Sequence, residues 1–257
     1  MSDTFSFEAE EIEKVEGESR TTGEYLSWLR DKNGGMSIAD AVYLRHSVRN
    51  YLDKEIEEEK LSVLNKAIEE INKNNSFSFQ LTANEPKAFS DSDGADYGKF
   101  TCCKNYIALV APKGCDVSVG YWGEHLVLLA QILGLNTCWV ALTYRKRKVP
   151  VTVPEGEKFY LVIALGYGAN QGVAHVSKDL SELCKVNGEM PDWFERGLVC
   201  ASLAPTAVNH QQFRFILNED GTVTPKARVG AYVKVDLGIV KYHFEIGAGD
   251  HKVEYSA

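Results

Sequence analysis

The segment YWGEHLVLLAQILGL, residues 121–135, constrains the fold more than any other part of the chain. Its apolar residues fall on nearly every side of a helix, which predicts a helix that is buried on most of its faces. No apolar run in the chain approaches the roughly 20 residues that are needed to cross a bilayer. We therefore predict a globular protein built around this central helix, without a membrane-spanning segment.

Further helices and strands are predicted on both sides of the central helix. Ser37 is placed to cap the first helix, and Phe89–Gly98 and Ala169–Gly188 are polar enough to predict a loop and a connector. The predicted helices and strands alternate along the chain without a repeated βαβ period, which predicts an α+β fold. The predicted helices span 38–51, 57–73, 121–135, 193–204 and 234–248, and the predicted strands span 76–82, 106–112, 137–143, 158–168 and 213–217.

Charge and cysteine content exclude several classes of protein. The net charge of −8 argues against nucleic-acid binding, which normally requires a basic face. The six cysteines show no CxxC spacing, so buried reduced thiols are predicted, with zinc or iron–sulfur ligation as the alternative. Residues 1–35 are acidic and lack the features of a signal peptide. They predict a flexible acidic extension on a cytoplasmic protein.

The chain contains a faint internal duplication. SFSFQLT aligns with QQFRFIL, which pairs Phe77 with Phe213 and Phe79 with Phe215. The central helix aligns with the last one, and the alignment pairs glycines and histidines at the same spacing: Gly120 with Gly238, and His125 with His243. A helix, a strand and a long helix would then occur twice in the same order. Chance similarity between short segments is the alternative.

The segment YLRHSVRNY contains the first candidate binding site. In a helix, Arg45 and Arg49 would share one face, and the hydroxyl of Ser47 could reach the same ligand. Two guanidinium groups and a hydroxyl suit a phosphate, which accepts charge-assisted hydrogen bonds. The alternative is a solvated basic turn that is neutralised by Asp53 and Glu57.

The segment LAPTAVNHQQFRF, residues 203–215, contains the second candidate site. Pro205 ends the preceding helix and leaves the backbone amides of the next residues free. Asn209, Gln211 and Gln212 add amide donors and acceptors that could bind ring carbonyls and hydroxyls. An ordinary helix-to-strand loop is the alternative.

Other motifs are weaker. His125 and His243 lie inside apolar helices and are predicted to be hydrogen-bonded packing residues. The segment GYGANQG lacks the GxGxxG spacing of a dinucleotide-binding loop, and the chain has no GxSxG, P-loop or HExxH sequence. No side chain is therefore predicted to be a catalytic nucleophile or a metal ligand, and a cofactor would supply the chemistry.

Taken together, LRHSVRNY, APTAVNHQQF, the helix GEHLVLLAQILGLNTCWV and the strand LVIALGYG resemble the nitroreductase family of FMN-dependent oxidoreductases. LRHSVRNY is similar to the Arg-x-Ser-x-Arg/Lys segment of that family, and APTAVNHQQF to its Pro-Ser-x-x-Asn-x-Gln-Pro-Trp segment. The similarity covers roughly residues 37–257. It implies a nitroreductase-like fold with bound FMN.

The resemblance also implies which residues bind the cofactor. Arg45 and Ser47, with the backbone of His46, would hold the phosphate, and Arg49 would lie near the N1/C2 edge of the flavin. Lys178 would be a second phosphate cation, and the backbone amides of Ala141 and Leu142 would lie near flavin N5. The ring and ribityl chain would be bordered by Pro205, Thr206, Ala207, Asn209 and Gln211.

The order of the two segments departs from the family pattern. Ordinary members carry the Pro-Ser segment some 25–30 residues after the arginine segment and form homodimers, whereas here it lies in the second half of the chain. This order resembles a branch in which two fused subdomains form a pseudo-dimer with one active site, so a monomer with one FMN becomes possible. The expected boundaries are an extension at 1–35, a first subdomain at 36–170, a linker at 171–190 and a second, shorter subdomain at 191–257.

The function that the resemblance implies is transfer of hydride from NAD(P)H, through flavin N5, to a flat electron-poor acceptor such as a nitroaromatic or a quinone. No nucleic-acid or membrane partner is expected. Three alternatives stay open: a flavin-binding protein without turnover, a flavin enzyme of other chemistry on the same fold, and an interaction protein without flavin.

Overall fold

The computed structural model describes residues 36–89 and 99–256, together with the backbone of residues 11–15 and 18–21. Strands β1 (Glu11–Val15) and β2 (Glu18–Thr21) form an antiparallel pair. The remainder of the predicted acidic extension at 1–35 lies outside the described residues. Residues 90–98 of the predicted loop also lie outside them.

Helices and strands alternate along the rest of the chain, and the predicted α+β class is confirmed. The helices are α1 (Ile38–Leu44), α2 (Glu58–Asn75), α3 (Asp116–Ile132), α4 (Leu180–Leu183), α5 (Asp192–Ser202) and α6 (Val233–Ala248). The strands are β3 (Gln80–Thr82), β4 (Asn105–Pro112), β5 (Asn136–Val140), β6 (Glu157–Gly166), β7 (Cys184–Val186), β8 (Phe213–Leu217) and β9 (Val223–Ala227). Short 3₁₀ turns lie at Lys146–Lys148 and Ala207–Asn209.

The larger sheet has the strand order β3-β4-β6-β5 and is antiparallel throughout. The central strands β4 and β6 are buried on both faces, which agrees with their continuous apolar sequences. Helices α2 and α3 contribute to the core on one face. A second apolar cluster covers the other face and contains Phe89, Tyr144 and Val149 from the loops.

The smaller sheet has the order β7-β8-β9, with β7 parallel to β8 and β8 antiparallel to β9. Strand β7 lies within the 171–190 range that was expected to be a linker, so part of that segment belongs to this sheet. Phe213 and Phe215 alternate into the core from β8, and the ring of Phe215 stacks on Phe244 of α6 at 4.3 Å between centroids.

One apolar cluster connects both sheets. It contains Leu64, Phe79 and Leu126 beside Phe213 and Phe244, all of them fully or almost fully buried. The two sheets therefore share a single core, which passes through the contact between α3 and α6.

Two glycines bring α3 and α6 into close contact. A Cβ atom added at Gly120 would overlap the carbonyl oxygen of Val235 and lie 2.8 Å from its carbonyl carbon. A Cβ atom at Gly238 would overlap the carbonyl oxygen of Val117 in the same way and lie 2.6 Å from the backbone nitrogen of Tyr121. The backbones of the two helices therefore touch at this crossing, and only glycine fits at either position.

Hydrogen bonds cross the same contact reciprocally. His243 of α6 contacts Glu124 of α3, with 2.8 Å between His243 Nε2 and Glu124 Oε1. In the reverse direction, His125 of α3 contacts Tyr242 of α6, with 2.7 Å between His125 Nδ1 and the hydroxyl oxygen of Tyr242. The prediction that both histidines are hydrogen-bonded packing residues is confirmed. The glycine and histidine pairs of the internal duplication thus meet one another at the crossing.

The predicted first helix extends too far along the sequence. Ser37 caps α1 as predicted, with Ser37 Oγ accepting from the Asp40 backbone at 3.1 Å, but α1 ends at Leu44 and not at Tyr51. The backbone of Val48 donates to the carbonyl of Thr137 in the edge strand β5 at 3.0 Å. Pairing with the sheet edge has displaced the helical hydrogen bonds that the local sequence favours.

Among the described residues, no helix combines the length and the apolar character that crossing a membrane would require.

Candidate cofactor site

A cavity of about 1200 Å³ opens between the two sheets. It is larger than the roughly 300–1,000 Å³ of most small-molecule pockets. Its wall comes from segments that are distant in sequence, chiefly 45–50, 139–143, 170–175, 205–212 and 229–239. The cavity therefore brings together the two candidate sites of the sequence, which are more than 150 residues apart.

The arginine segment enters the cavity as extended chain and not as helix. Arg45 has φ −71° and ψ 121°, and Ser47 forms a parallel bridge with Thr137. Arg45, His46, Ser47 and Arg49 all line the cavity. The prediction that Arg45 and Arg49 share a helical face is wrong, because the helix ends at Leu44 and both arginines lie in the segment that follows it.

Arg45 is a buried cation. It is only 4% exposed, and its Nε lies 3.8 Å from Glu124 Oε1. Burial lowers the pKa of Arg45, and the nearby Glu124 opposes that shift. Its Nε atom has no hydrogen-bond partner among the described residues, so this buried donor faces the cavity wall unsatisfied.

Glu124 is the centre of a buried polar network. Its Oε2 accepts from Trp139 Nε1 at 2.7 Å, and its Oε1 faces His243 Nε2. The other ring nitrogen of His243 lies 3.1 Å from the carbonyl oxygen of Cys200, which can only accept. The ring of His243 is therefore held between the Glu124 carboxyl group and a backbone carbonyl.

The carboxyl group of Glu124 is thus shared between Arg45, Trp139 and His243. The Nε donor of the buried Arg45 is left without a hydrogen bond among the described residues. A buried donor without a partner is unfavourable, so an anion bound in the cavity would stabilise Arg45.

The glycine segment GYGANQG supports the arginine segment from behind. Leu52 and Ala169 donate backbone hydrogen bonds of 2.8 Å to Tyr167 and Asn50. At Gly172, where φ is +72°, a Cβ atom would lie 2.7 Å from the Cβ of His46. This glycine is required for close packing against the arginine segment.

The second candidate site is a strained loop. Helix α5 ends at Ser202, and Pro205, Thr206, Ala207 and Asn209 all line the cavity. Val208, Asn209 and Gln211 have positive φ angles of 46°, 55° and 47°. This conformation costs about 1–2 kcal/mol per non-glycine residue, so other contacts must hold the loop.

Hydrogen bonds on both sides hold the strained loop. Thr206 Oγ1 accepts from the backbone of Gln211 at 3.0 Å. Gln211 is buried, and its amide donates to the carbonyl of Val176 and accepts from the backbone of Lys178. The Lys178 ammonium donates to the carbonyl of His210 at 2.8 Å. Lys178 and Gln211 are not among the residues that line the cavity; they fix the loop that does.

Ala141 and Leu142 follow strand β5 and line the cavity mouth. Leu142 is 79% exposed, and Val229, which also lines the cavity, is 95% exposed. Exposed apolar side chains of this size are unusual on a soluble surface when they cluster. They give the mouth an apolar rim suited to a flat, poorly hydrated ligand.

Several cavity residues were not predicted from the sequence. They are Lys99, Trp139, His175, Tyr232 and Asp236. Asp236 lies in the first turn of α6, where an acidic residue commonly stabilises the helix N-terminus, so its sequence position favours an ordinary surface role. Only the fold shows that this turn faces the cavity.

Comparisons with known proteins agree with this architecture. The family model described as "Putative TM nitroreductase" matches residues 37–248. Among solved structures, a protein of Thermotoga maritima described as a putative nitroreductase aligns with a TM-score of 0.59 at 20% identity, over 82% of this chain and 83% of that chain. The predicted nitroreductase-like fold is confirmed.

Two further solved structures align with the chain less extensively. A putative nitroreductase of Desulfovibrio desulfuricans in complex with FMN aligns with a TM-score of 0.46 at 20% identity, over 57% of this chain and 94% of that chain. An FMN-dependent nitroreductase of Clostridium difficile aligns with a TM-score of 0.41 at 20% identity, over 51% and 87%. None of the curated proteins compared with the chain matches it. On the family match, which covers well over half of its residues, the chain belongs to the family of TM nitroreductases.

Proposed function

We propose that the chain is an FMN-dependent oxidoreductase that uses NAD(P)H to reduce a flat, electron-poor acceptor such as a nitroaromatic or a quinone. The observation that carries the proposal is the buried guanidinium of Arg45 in the cavity wall, whose Nε has no hydrogen-bond partner among the described residues. FMN has the terminal phosphate that this charge requires and the flat ring that the apolar rim accommodates.

The donor set of the cavity fits FMN. Arg45, with its unsatisfied Nε, and Ser47 would hold the phosphate together with the backbone of His46. Charge-assisted bonds to a phosphate contribute about 1.5–3 kcal/mol each. Pro205, Thr206, Ala207 and Asn209 would border the ring and ribityl chain from the opposite wall, and Ala141 and Leu142 would do so from the end of β5.

Lys178 and Gln211 would act indirectly in this proposal. Both are committed to holding the loop around Ala207 and His210. Substitution of either side chain would release the strained loop and so weaken FMN binding, although neither side chain would contact FMN directly.

Bound FMN would supply two-electron chemistry at N5, so the protein's task is to bind and orient. Arg49 would stabilise negative charge on the reduced ring. Trp139 and Leu161 give the wall apolar surface, which limits water around the reacting atoms. The apolar rim at Leu142 and Val229 would admit acceptor molecules of different shapes.

We also propose that the chain is a fused pseudo-dimer, with subdomains at 36–170 and 191–257 joined through 171–190. The reciprocal glycine contacts and hydrogen bonds between α3 and α6 support this proposal. The cavity uses the arginine segment of one subdomain and the Pro-Thr segment of the other. A monomer with one FMN per chain is then expected.

The absorption spectrum of the purified protein, before and after addition of FMN and removal of the excess, tests the cofactor. Flavin bands at about one FMN per chain support the proposal, and loss of the visible band on anaerobic addition of NADH or NADPH supports the electron donor. Absence of flavin binding refutes the cofactor assignment. Bound flavin that stays oxidised would instead favour a binding protein without turnover.

A further inference from the structure

Asp236 is the only acidic side chain among the described residues that line the cavity. It lies in the first turn of α6 and is 4% exposed. Both carboxyl oxygens lie 3.1 Å from one donor, the backbone nitrogen of Ala207. A carboxylate has about four acceptor sites, and within the described part of the chain this backbone amide is the group that occupies them.

The other charged or titratable groups of the cavity are all basic or neutral. Asp236 forms no ion pair with any of the described residues, in contrast to Glu124. Burial raises the pKa of Asp236 to about 7, while the hydrogen bond from Ala207 acts in the opposite direction. The other charged or titratable groups that line the same cavity are Arg45, His46 and Arg49 from the arginine segment, Lys99, His175, His210 and Tyr232, the N-cap residue of α6.

His175 is the most direct competitor as a proton donor. Its Nε2 lies 2.9 Å from the carbonyl oxygen of Ser202, and burial lowers its pKa. The ring is therefore mainly neutral at pH 7, and its single N–H group is already committed to the carbonyl of Ser202. Among the described residues the hydrogen-bond partner of Asp236 is a donor, the backbone amide of Ala207, so no neighbouring acceptor competes for a proton on this carboxyl group.

We propose that Asp236 is the proton donor for the acceptor that is reduced in this cavity, an inference that rests on the proposed function. Two-electron reduction of a carbonyl or nitroso-type acceptor requires one proton for each hydride equivalent. A carboxyl group in the cavity wall can provide this proton by direct transfer to a bound acceptor.

The proposed step balances for a quinone. The acceptor takes a hydride equivalent from the reduced flavin, which is oxidised, and it takes a proton from Asp236. The O–H bond of the carboxyl group breaks, its electron pair remains on the carboxylate, and a new O–H bond forms on the acceptor. The product is a hydroquinone, and the Asp236 carboxylate recovers its proton from water.

The first test needs no flavin and no turnover. The carboxyl carbon of Asp236 is followed by ¹³C NMR in the flavin-free full-length protein and assigned by its absence in Asp236→Asn. We expect a titration midpoint at about pH 7. A midpoint below about pH 5, close to that of an ordinary aspartate, overturns the proposal.

The second test compares two acceptors on the flavin-loaded protein. The enzyme is reduced anaerobically and reoxidised either by benzoquinone, which takes up protons, or by ferricyanide, which accepts electrons alone. We expect Asp236→Asn to slow reoxidation by benzoquinone by about 10²- to 10⁴-fold, the usual contribution of a general acid. Reoxidation by ferricyanide should be unchanged. In the wild type, the benzoquinone rate should fall as pH rises through about 7.

Asparagine can still accept the hydrogen bond from Ala207, so this variant separates proton donation from positioning of the loop. Asp192→Asn, an exposed first-turn aspartate of α5, is the matched control and should equal the wild type with both acceptors. Equal slowing with both acceptors, or no slowing with either, refutes the role of Asp236. If Asp236→Asn does not retain flavin, the NMR midpoint decides the matter. Failure of the wild type to bind FMN refutes the proposed function itself.

Discussion

Gly120→Ala would test whether the α3–α6 crossing positions the cavity. The added Cβ would lie 2.8 Å from the carbonyl carbon of Val235, whereas ordinary contacts of this kind begin at 3.4 Å. The obstruction is backbone and cannot rotate away, so the helices must separate by more than half an ångström. The Glu124–His243 bond, 2.8 Å long, crosses the same contact and would be stretched.

The expected loss of stability combines three effects. Overpacking of a buried position costs about 1–3 kcal/mol, and weakening of a charge-assisted hydrogen bond costs about 1.5–3 kcal/mol. Alanine returns about 1 kcal/mol through its higher helix propensity. We therefore expect the free energy of unfolding to fall by about 2–5 kcal/mol.

Guanidinium unfolding of the flavin-free protein, followed by circular dichroism, measures this change. Ser118→Ala alters an exposed position on the same helix and should change stability by less than about 0.5 kcal/mol. If Gly120→Ala has the unfolding midpoint of the wild type, the helices do not touch here and the reasoning fails. Flavin affinity should fall together with stability, because α6 also carries Val235 and Asp236 into the cavity wall.

Three further predictions concern the buried charges. Arg45→Ala should weaken FMN binding by about 1.5–3 kcal/mol, roughly 10- to 150-fold, as measured by quenching of flavin fluorescence. The control variant Arg147→Ala, on the exposed 3₁₀ turn, should bind FMN as the wild type does. Equal FMN affinities for the two variants would contradict the phosphate assignment. Glu124→Gln leaves the buried Arg45 without its counter-charge and should lower stability by about 3–5 kcal/mol, against no measurable loss for the exposed Glu69→Gln. Burial lowers the pKa of His125 to about 4, below the value of about 6.5 in the unfolded chain. The free energy of unfolding should therefore decline by on the order of 2 kcal/mol as pH falls from about 6.5 towards 4. If a His125→Gln variant shows the same decline, another group is responsible for it.

The core elements could be predicted from the sequence because their apolar patterns are strong. The segment FRFIL forms β8 at Phe213–Leu217 as predicted, and the buried strand predicted at 158–168 forms at Glu157–Gly166. The short strands β7 and β9 were not predicted. CKV and VTPKA are too short and too polar to show a period, and they form because β8 lies between them.

The candidate site was predictable in its residue types and not in its geometry. The two segments that line the cavity were identified, yet the arginine segment was expected to be helical, since IADAVYLRHSVRNY has helical spacing. The edge of β5 offers backbone partners to Ser47 and Val48 that no local pattern reveals. The roles of Glu124 and Asp236 could not be predicted from the sequence for a similar reason, because both depend on contacts with residues that are distant in sequence.

The shared core has a consequence for the synthesis of the protein on the ribosome. Glu124 lies within α3, but its imidazole partner is residue 243 of α6, the last described helix. Until that helix emerges, the nascent chain exposes the glycine surface of α3, a carboxylate intended for burial and the apolar side chains around Leu126. More than 100 further residues must therefore follow α3, which ends at Ile132, before His243 is available to cover it. A protein made in this order is expected to depend on chaperone binding during translation more than one whose halves fold as they appear.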